Sequence, residues 1–164
     1  MNLTARTLLL FLGIALLAAA FSGCSQGAAE NQIRARLASI REAILARRAD
    51  GIVEFGTPDW RFDTPDGQTF DRAGYLERTK KLLAEIQIES LDTHIDRIEF
   101  HDSRAEVTLT QTMVRGETDA TGARTRWKVK YGERQEWIET RGRGWLVARV
   151  TILYRPVRSA LPNP

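Results

Sequence analysis

The 164-residue sequence predicts a single α+β domain in which N-terminal helices pack on one face of a curved antiparallel β-sheet. Three observations lead to this fold class. The composition, with 27% charged and 43% hydrophobic residues, is that of a soluble globular domain. Amphipathic helical patterns come first along the chain, and the later part alternates apolar and polar residues as strands do. Helices followed by a long run of strands are typical of α+β domains.

Two helices are predicted from apolar spacing and capping signals. The first covers residues 29–49, and we expect it to end near Asp50–Gly51 because glycine adopts the left-handed conformation that closes a helix. A short second helix or turn is expected at 52–55. Behind Asp71, an N-cap residue, a further helix runs to about Ile86. The first helix is amphipathic because its apolar residues recur at spacings of three and four: Ile33, Leu37, Ile40 and Ile44.

Strand-like segments are separated by turn signals. Before the helix that follows Asp71, Asp66–Gly67 lies between two short aromatic runs and predicts a small hairpin. Pro156 is expected to end the sheet, because proline cannot donate to a strand ladder. The main strands are predicted at 88–100, 105–113, 126–138 and 145–154, with turns at 101–103, 116–122 and 141–144.

The start of the chain predicts export and membrane attachment. Arg6 precedes thirteen uncharged residues, 8–20, an apolar run that is too short to span a bilayer and is typical of a signal peptide. The segment FSGC, 21–24, resembles the lipobox of bacterial lipoproteins. This resemblance implies that Cys24, the only cysteine, is thioether-linked to diacylglycerol after residues 1–23 are removed.

The same resemblance implies a location in the bacterial cell envelope. Ser25 stands where aspartate commonly retains such proteins at the inner membrane, so the outer membrane is favoured, with the domain facing the periplasm. Phe21 departs from the usual branched aliphatic residue, and an ordinary signal peptide with an unmodified Cys24 is the alternative. We expect residues 24–28 to form a short tether, 29–156 the domain, and 157–164 a flexible tail.

Three segments together resemble the NTF2-like superfamily, in particular its SnoaL-like and DUF4440-like branches. They are TPDWRFDTPDGQTF leading into a helix, FHDSRAEVTLT as a strand pair, and WIETRGRGWLVARVTIL as a closing hairpin. The resemblance implies a cone with an open mouth. It does not imply one activity, because members include isomerases, hydrolases, dehydratases and noncatalytic domains that bind ligands or form homodimers.

Aromatic and polar residues predicted on inward faces are candidates to line the cone. Their polar groups can orient a small ligand in an otherwise apolar pocket. Core packing is the alternative explanation for the same aromatic residues, because inward-facing aromatic side chains more often form the hydrophobic core than the wall of a pocket. The pocket candidates are Trp60, Tyr75, Gln111, Tyr131, Gln135, Trp137 and Arg149.

A basic series, Arg124, Arg126, Lys128 and Lys130, occupies one face of a predicted strand. A solvated outer face explains it, and attraction to anionic head groups or another anionic envelope polymer is the alternative. Nucleic acid is not an expected partner, because export takes the protein out of the cytoplasm. In addition, the 24 basic residues are nearly balanced by 21 acidic ones, so the positive field is too weak to bind phosphates strongly.

No glycine-rich phosphate loop, metal-ligand spacing or nucleophile elbow occurs in the sequence, so we expect no cofactor and no metal, and no catalytic residue is assigned. Asp92, His94 and Asp96 alternate along one strand and could act as acid, base or metal ligands, although a solvated strand face explains them as well. The favoured function is noncatalytic binding of a small apolar ligand or a protein partner, with a sheet-to-sheet homodimer left open as the form of the protein. The alternatives are an isomerase-like or hydrolase-like enzyme with an acid/base residue in the cone, and an envelope-assembly accessory that docks through the basic face.

Overall fold

The computed structural model describes residues 26–118 and 121–162. Two long helices and one short one precede or interrupt the strands, and one mixed sheet holds all the described strands. The helices are α1 (26–45), α2 (Ala49–Ile52) and α3 (Arg72–Glu85). The strands are β1 (Gly56–Asp63), β2 (Thr69–Asp71), β3 (Ile86–His101), β4 (Arg104–Thr118), β5 (Arg124–Thr140), β6 (Gly144–Ile152) and β7 (Val157–Leu161).

The strand order is β2-β1-β6-β5-β4-β3, with β7 paired to β5, and the helices pack against one face of this curved sheet. This confirms the predicted α+β class. The sheet is mixed, however, because β1 pairs with β6 in parallel, Arg61 opposite Arg149, while the other pairs are antiparallel. Turn signals cannot reveal this parallel pair, because its strands lie far apart in the sequence.

The prediction that the sheet ends at Pro156 and continues as a flexible tail is wrong. Residues Val157–Leu161 form β7, which pairs antiparallel with the first half of β5. The reason is that β6 pairs only with the second half of β5, from Glu133 onward. Without β7, backbone groups of β5 at 126–130 would face an open sheet edge.

The end of α1 also differs from the prediction. The helix ends at residue 45, and Arg47 takes the left-handed conformation, with φ 56°. The Arg48 N–H donates to the Ala43 carbonyl at 2.8 Å, as in a Schellman-type end. Gly51 does not end this helix. It allows α2 to approach α1 closely, since a Cβ at Gly51 would lie 2.7 Å from the Cβ of Ala43.

The predicted hairpin and the cap of α3 are both present. Gly67 has φ 83° in the turn that joins β1 to β2. The Asp71 carboxylate accepts a hydrogen bond from the Gly74 N–H at 2.8 Å, which satisfies one of the amide groups left open at the start of α3. These two local signals place α3 across the concave face of the sheet.

The main hydrophobic core fills one end of the cone, which we call the closed end. The start of α1 lies here against the β5–β6 turn: the Gln32 side chain accepts from the Trp145 N–H at 3.2 Å, and Arg36 donates to the Trp145 carbonyl. The buried residues of the closed end include Ile33, Leu37, Val107, Leu109, Trp137 and Trp145. No helix among residues 26–118 and 121–162 is long and apolar enough to cross a membrane.

Candidate functional site

The opposite end of the cone is hollow, and we call it the open end. A cavity of about 580 Å³, the outer chamber, lies between α3, the end of α1 and the inner face of the sheet. A smaller cavity of about 70 Å³, the inner chamber, adjoins it toward the closed end. The two chambers share the wall residues Ile44, Ile52, Phe62, Tyr75, Tyr131 and Glu133. The combined space suits a small molecule.

The sheet presents its inner residues to these chambers through strand alternation. On β4 the inward positions Gln111, Met113 and Arg115 follow the closed-end residues Val107 and Leu109. On β5 the inward positions are Val129, Tyr131, Glu133, Gln135 and Trp137. Each strand therefore adds polar inward residues among apolar ones as it passes from the closed end into the cavity.

Glu133 is the central polar group of the site. Its carboxylate is buried, and each oxygen accepts one amide hydrogen bond. Gln135 Nε2 donates to Oε2 at 2.9 Å, and Gln111 Nε2 donates to Oε1 at 3.5 Å. Because a carboxylate oxygen can accept two hydrogen bonds, Glu133 retains capacity for a ligand in either chamber.

The orientation of both glutamine amides is set by further donors. The indole N–H of Trp137, which can only donate, contacts Gln135 Oε1 at 3.1 Å. The Thr93 hydroxyl donates to Gln111 Oε1 at 3.1 Å. With their oxygens engaged, the two side chains turn their N–H groups toward Glu133. The network therefore spans three strands and ends on a single carboxyl group.

Burial controls protonation throughout this network. Desolvation raises the pKa of Glu133 above its ordinary value, and the hydrogen bonds from Gln135 and Gln111 oppose this shift only in part. Burial, with a smaller contribution from nearby Glu133, raises the pKa of Tyr75 to about 12, against a hydrogen bond with Thr79. The same two causes, burial first, raise the pKa of Tyr131 well above its ordinary value. The phenols therefore stay protonated as donors, and the carboxyl group is shifted toward its neutral form.

Five of the predicted pocket residues line the chambers. Trp60, Gln111 and Gln135 line the inner chamber, and Tyr75 and Tyr131 line both. The ring centroids of Trp60 and Tyr75 are 4.9 Å apart in an edge-on arrangement. The aromatic candidates of this group therefore form part of the wall and also pack on one another.

Trp137 and Arg149 line neither chamber, which corrects their assignment to the pocket. Trp137 is fully buried at the closed end and reaches the site only through its hydrogen bond to Gln135. Arg149 is exposed on the other face of β6, with its Nε 3.4 Å from a carboxylate oxygen of Asp63. Because side chains alternate along β6, Arg149 points to the opposite face of the sheet from its neighbour Val150, which faces inward.

Sequence reasoning missed Glu133, although a signal for it was present. The residue lies between Tyr131 and Gln135 on the same face of β5. A charged residue at an inward position of a strand is rarely buried without a reason. Arg115 is also a charged residue at an inward position, on β4 two residues beyond Met113. Period-two alternation, extended through the polar residues, would have identified both.

The basic series of β5 lies on the outer face of the sheet and contacts acidic and amide groups of β3. Arg126 Nη2 lies 2.7 Å from Glu89 Oε2, and Arg124 donates to Gln87 at 2.7 Å. Gly116 of β4 lies between them, and a Cβ there would lie 2.8 Å from Arg124 Nε. Lys128 and Lys130 continue this face as exposed side chains.

The other sequence candidates lie on exposed surface or outside the described residues. Asp92, His94 and Asp96 are all exposed on β3, where His94 Nε2 lies 3.7 Å from Asp96 Oδ1. Within residues 26–118 and 121–162, no group of three or more His, Cys, Asp or Glu side chains is placed to hold a metal ion. Cys24 and the segment that resembles a signal peptide lie outside the described residues.

Comparison with solved structures identifies the architecture. A protein described as NTF2-like from Cytophaga hutchinsonii matches with a TM-score of 0.60 and 13% identity, over 75% of this chain and 95% of that one. An NTF2-like superfamily protein from Salmonella enterica matches with a TM-score of 0.63 and 13% identity, over 84% and 94% of the two chains. This chain has an NTF2-like fold. No protein-family model matches the sequence, and no curated protein matches it.

A third NTF2-like neighbour is described as ketosteroid isomerase-like. This protein, from Erwinia carotovora atroseptica, matches with a TM-score of 0.60 and 15% identity, over 75% of this chain and 95% of that one. Such low identity shows a shared fold and does not transfer an activity. The chemistry of the NTF2-like cone must therefore be argued from its own residues, above all from Glu133.

Proposed function

We propose that the cone binds a small, largely apolar molecule that places one polar group against Glu133. The observation that supports this is a carboxyl group that is buried from bulk solvent and lines a cavity of about 580 Å³. Most other wall positions near it are apolar, including Ile86, Ile88, Val129 and Ile152. A cavity with apolar walls and a few convergent polar groups is typical of small-molecule sites.

The polar group of the ligand is a carbonyl or a hydroxyl. Burial shifts Glu133 toward its neutral form, in which its O–H can donate to a carbonyl oxygen and its other oxygen can accept from a hydroxyl. The phenol groups of Tyr75 and Tyr131 lie on the same walls and offer further donors. A charged group is disfavoured next to Glu133, because a buried charge needs a compensating partner.

Filling the outer chamber tests this proposal. Met113 lines the chamber, while its neighbour Val114 alternates to the outer face of β4, so Met113→Trp and Val114→Trp form a matched pair. The neutral probe is 8-(4-hydroxyphenyl)octanamide, titrated calorimetrically into the full chain in detergent micelles after subtraction of a micelle blank. We expect the parent and Val114→Trp to bind the probe and Met113→Trp to bind it at least about tenfold more weakly.

A milder filling variant guards against misfolding. Val129→Phe narrows the same wall from β5, and thermal unfolding of each variant checks that the fold is retained. Equal binding by the parent, Val114→Trp and both filling variants would contradict a site in the cone. The absence of saturable binding by the parent would contradict the proposed ligand class.

Catalysis is the second candidate function, and the same carboxyl group supports it. A glutamate whose pKa is raised by burial, beside two protonated phenols, can take a proton from a bound molecule and return it at another position. Such a proton transfer characterises an isomerase-like enzyme, whereas a hydrolase-like enzyme would use the same carboxylate to take a proton from an attacking water and return it to the leaving group. No step in it calls for a cofactor.

Hydrogen isotope exchange separates binding from catalysis by proton transfer at carbon. Any small molecule that copurifies with the full chain is identified by mass spectrometry and incubated with the protein in D₂O. Catalysis predicts deuterium at a carbon position, lost in Glu133→Gln although the variant still binds the molecule. Binding without exchange in the parent would contradict the isomerase-like candidate and retain the binding function.

We also propose that the protein is anchored to a bacterial envelope membrane through a lipid on Cys24. The lipobox-like FSGC segment supports this, and α1 begins at the closed end, so such an anchor would turn the open end away from the membrane. Intact mass spectrometry of membrane-extracted protein is expected to show a mature chain that begins at an acylated Cys24. A mass without acyl chains, or a Cys24→Ala variant that stays membrane-bound, would contradict the anchor.

A further inference from the structure

Four arginines line the outer chamber: Arg115 is largely buried, and Arg78, Arg155 and Arg158 are exposed and mark the mouth. We propose that the ligand of the cone is an organic anion, with its apolar body in the outer chamber and its carboxylate or comparable anionic group held by these arginines at the mouth. This inference rests on the proposed binding function and adds the charge class of the ligand.

Arg115 is the most deeply placed of the four. Its side chain is 17% exposed, and its Nε is buried without a hydrogen-bond partner among the described residues. Its Nη2 lies 2.7 Å from Glu117 Oε1. A buried guanidinium N–H without a partner costs stability, unless a ligand or water accepts from it. The position of Arg115 on the chamber wall makes a ligand oxygen a suitable acceptor.

Arg158 forms an ion pair with Glu117, the same carboxylate that pairs with Arg115. Its Nη2 lies 2.6 Å from Glu117 Oε2, and its Cζ lies 4.3 Å from the ring centroid of Trp127. One carboxylate therefore neutralises one of two guanidinium groups. The Trp127 ring and the glutamate fix the Arg158 side chain of β7 in place, so this arginine is held at the mouth before a ligand arrives.

Arg78 and Arg155 lie on the other side of the mouth, near Asp66. Arg78 is placed over the ring of Phe70, with 5.2 Å between Cζ and the ring centroid. Asp66 is occupied within its own turn, where it accepts hydrogen bonds from Thr64 and from Gln68 Nε2, the latter at 3.2 Å. The hydrogen bond from Thr64 is the main cause of its lowered pKa, and Arg155 and Arg78 contribute less. This carboxylate therefore remains ionised and offsets part of the local positive charge.

The mouth as a whole carries an excess of positive charge. Four guanidinium groups face two carboxylates, Asp66 and Glu117. Apolar chamber walls concentrate such a field at the opening, because they exclude the water that would screen it. A planar guanidinium matches a carboxylate with two parallel hydrogen bonds, so arginines select anions by geometry as well as by charge. The complementary ligand is polar and neutral at Glu133, apolar along its length and anionic at the mouth.

A matched pair of probes tests this inference. 8-(4-Hydroxyphenyl)octanoate and 8-(4-hydroxyphenyl)octanamide share the phenol and the apolar chain, and only the first carries a charge. Each is titrated calorimetrically into the full chain in micelles, with a blank subtracted. We expect the parent to bind the octanoate about tenfold or more tightly than the octanamide, with a preference that falls as salt is added.

The variant that tests the mouth is Arg78→Gln/Arg155→Gln/Arg158→Gln, which leaves the partly buried Arg115 in place. The control is Arg97→Gln/Arg134→Gln/Arg141→Gln, which removes the same charge from exposed positions that do not line the outer chamber. We expect the mouth variant to lose a large part of the preference for the octanoate, because its affinity for the octanoate falls much more than its affinity for the octanamide. The control variant is expected to keep the preference.

The outcomes separate this inference from the proposed function. Equal affinity of the parent for both probes would overturn the anionic ligand and leave binding in the cone intact. So would an equal loss of preference in the mouth variant and its control, since general attraction by net charge would then explain it. Absence of saturable binding of either probe would overturn both proposals together. Unfolding midpoints of the two triple variants check that both are folded.

Discussion

The closed end and the open end of the cone are built from the same strands but are filled differently. At the closed end, β4 and β5 contribute Val107, Leu109 and Trp137, which are fully buried among α1 and β6. At the open end, the same strands contribute Arg115 and Glu133 to a cavity of about 580 Å³. Along each strand the inward positions pass from close-packed apolar groups to a mixture of apolar and polar groups that line the cavity.

This difference separates stability from the binding that we propose. Close packing at the closed end buries apolar surface, at about 25 cal/mol per Å², and supplies most of the free energy of folding. The open end leaves apolar walls unfilled and buries a carboxyl group, and both features reduce stability. The closed end therefore stabilises the same strands that line the cavity of the proposed binding site.

The largest expected effect is at the closed end. Trp137→Ala removes a fully buried ring and is expected to lower the free energy of unfolding by about 3–5 kcal/mol, measured by urea denaturation. The control, Trp127→Ala, removes a half-buried ring that packs against Arg158, with an expected loss of about 1 kcal/mol. Similar losses for the two variants would show that the closed end is not the main source of stability.

Two glycines in turns at opposite ends give the next largest difference. Gly144 has φ 67°, and an added Cβ would overlap the side chain of Gln32, which accepts from the Trp145 N–H. Gly144→Ala is therefore expected to combine about 1–2 kcal/mol of backbone strain with the loss of a hydrogen bond worth about 1 kcal/mol.

Gly67 provides the comparison at the open end. It has φ 83°, and an added Cβ would meet nothing within 4 Å, so Gly67→Ala is expected to cost the backbone strain alone. Thermal unfolding of both variants measures the difference. A larger loss for Gly67→Ala would mean that the β1–β2 turn, not the contact between α1 and the β5–β6 turn, limits stability.

At the open end, Glu133 makes stability depend on pH. Its pKa is raised in the folded state, so between the ordinary value of about 4.5 and the folded pKa the native protein binds more protons than the unfolded chain. The free energy of unfolding therefore falls as pH rises through this window, by about 1.4 kcal/mol per unit of the shift, and stays at the lower level above it.

Glu133→Gln is expected to remove this dependence and to be more stable than the parent at high pH. The control is Glu139→Gln, which changes an exposed residue of the same strand. Urea denaturation at several pH values gives the curves. If the difference between the parent and Glu133→Gln did not change with pH, the carboxyl group would not be desolvated as the structure indicates.

The sequence predicts much of the fold because its signals are local. The Asp66–Gly67 turn, the Asp71 cap and the alternation of β5 depend on neighbouring residues, and all three are confirmed. The parallel β1–β6 pair and β7 depend on which sheet edges remain open after distant strands have paired. No local pattern records that, so the prediction of a purely antiparallel sheet ending at Pro156 was wrong.

The site was predicted only in part, for a related reason. Alternation identified Tyr131 and Gln135 as inward residues, but the charged Glu133 between them was left out. Whether such a position is filled or hollow depends on the volume left by α1 and α3, which the sequence does not contain. The end of α1 shows a similar effect, because Gly51 is required for close contact with Ala43 and Arg47 closes the helix instead.

The smallest expected effect is the difference between two threonine substitutions, one on each face of the sheet. The Thr93 hydroxyl faces inward and orients Gln111, whereas the Thr110 hydroxyl donates to Asp96 at 2.9 Å on the exposed face. Thr93→Val is expected to cost about 1 kcal/mol, because it leaves the Gln111 oxygen without its donor in a buried setting. Thr110→Val changes an exposed hydrogen bond and should cost less.

The distinguishing readout is the carboxyl group of Glu133, followed by ¹³C NMR as pH is changed. Without Thr93, the Gln111 amide can rotate, and its N–H then donates less to Glu133, so the pKa of Glu133 should rise further in Thr93→Val. Thr110→Val should leave that pKa unchanged. A shift of equal size in both variants would mean that the Glu133 pKa does not depend on the orientation that Thr93 gives to Gln111.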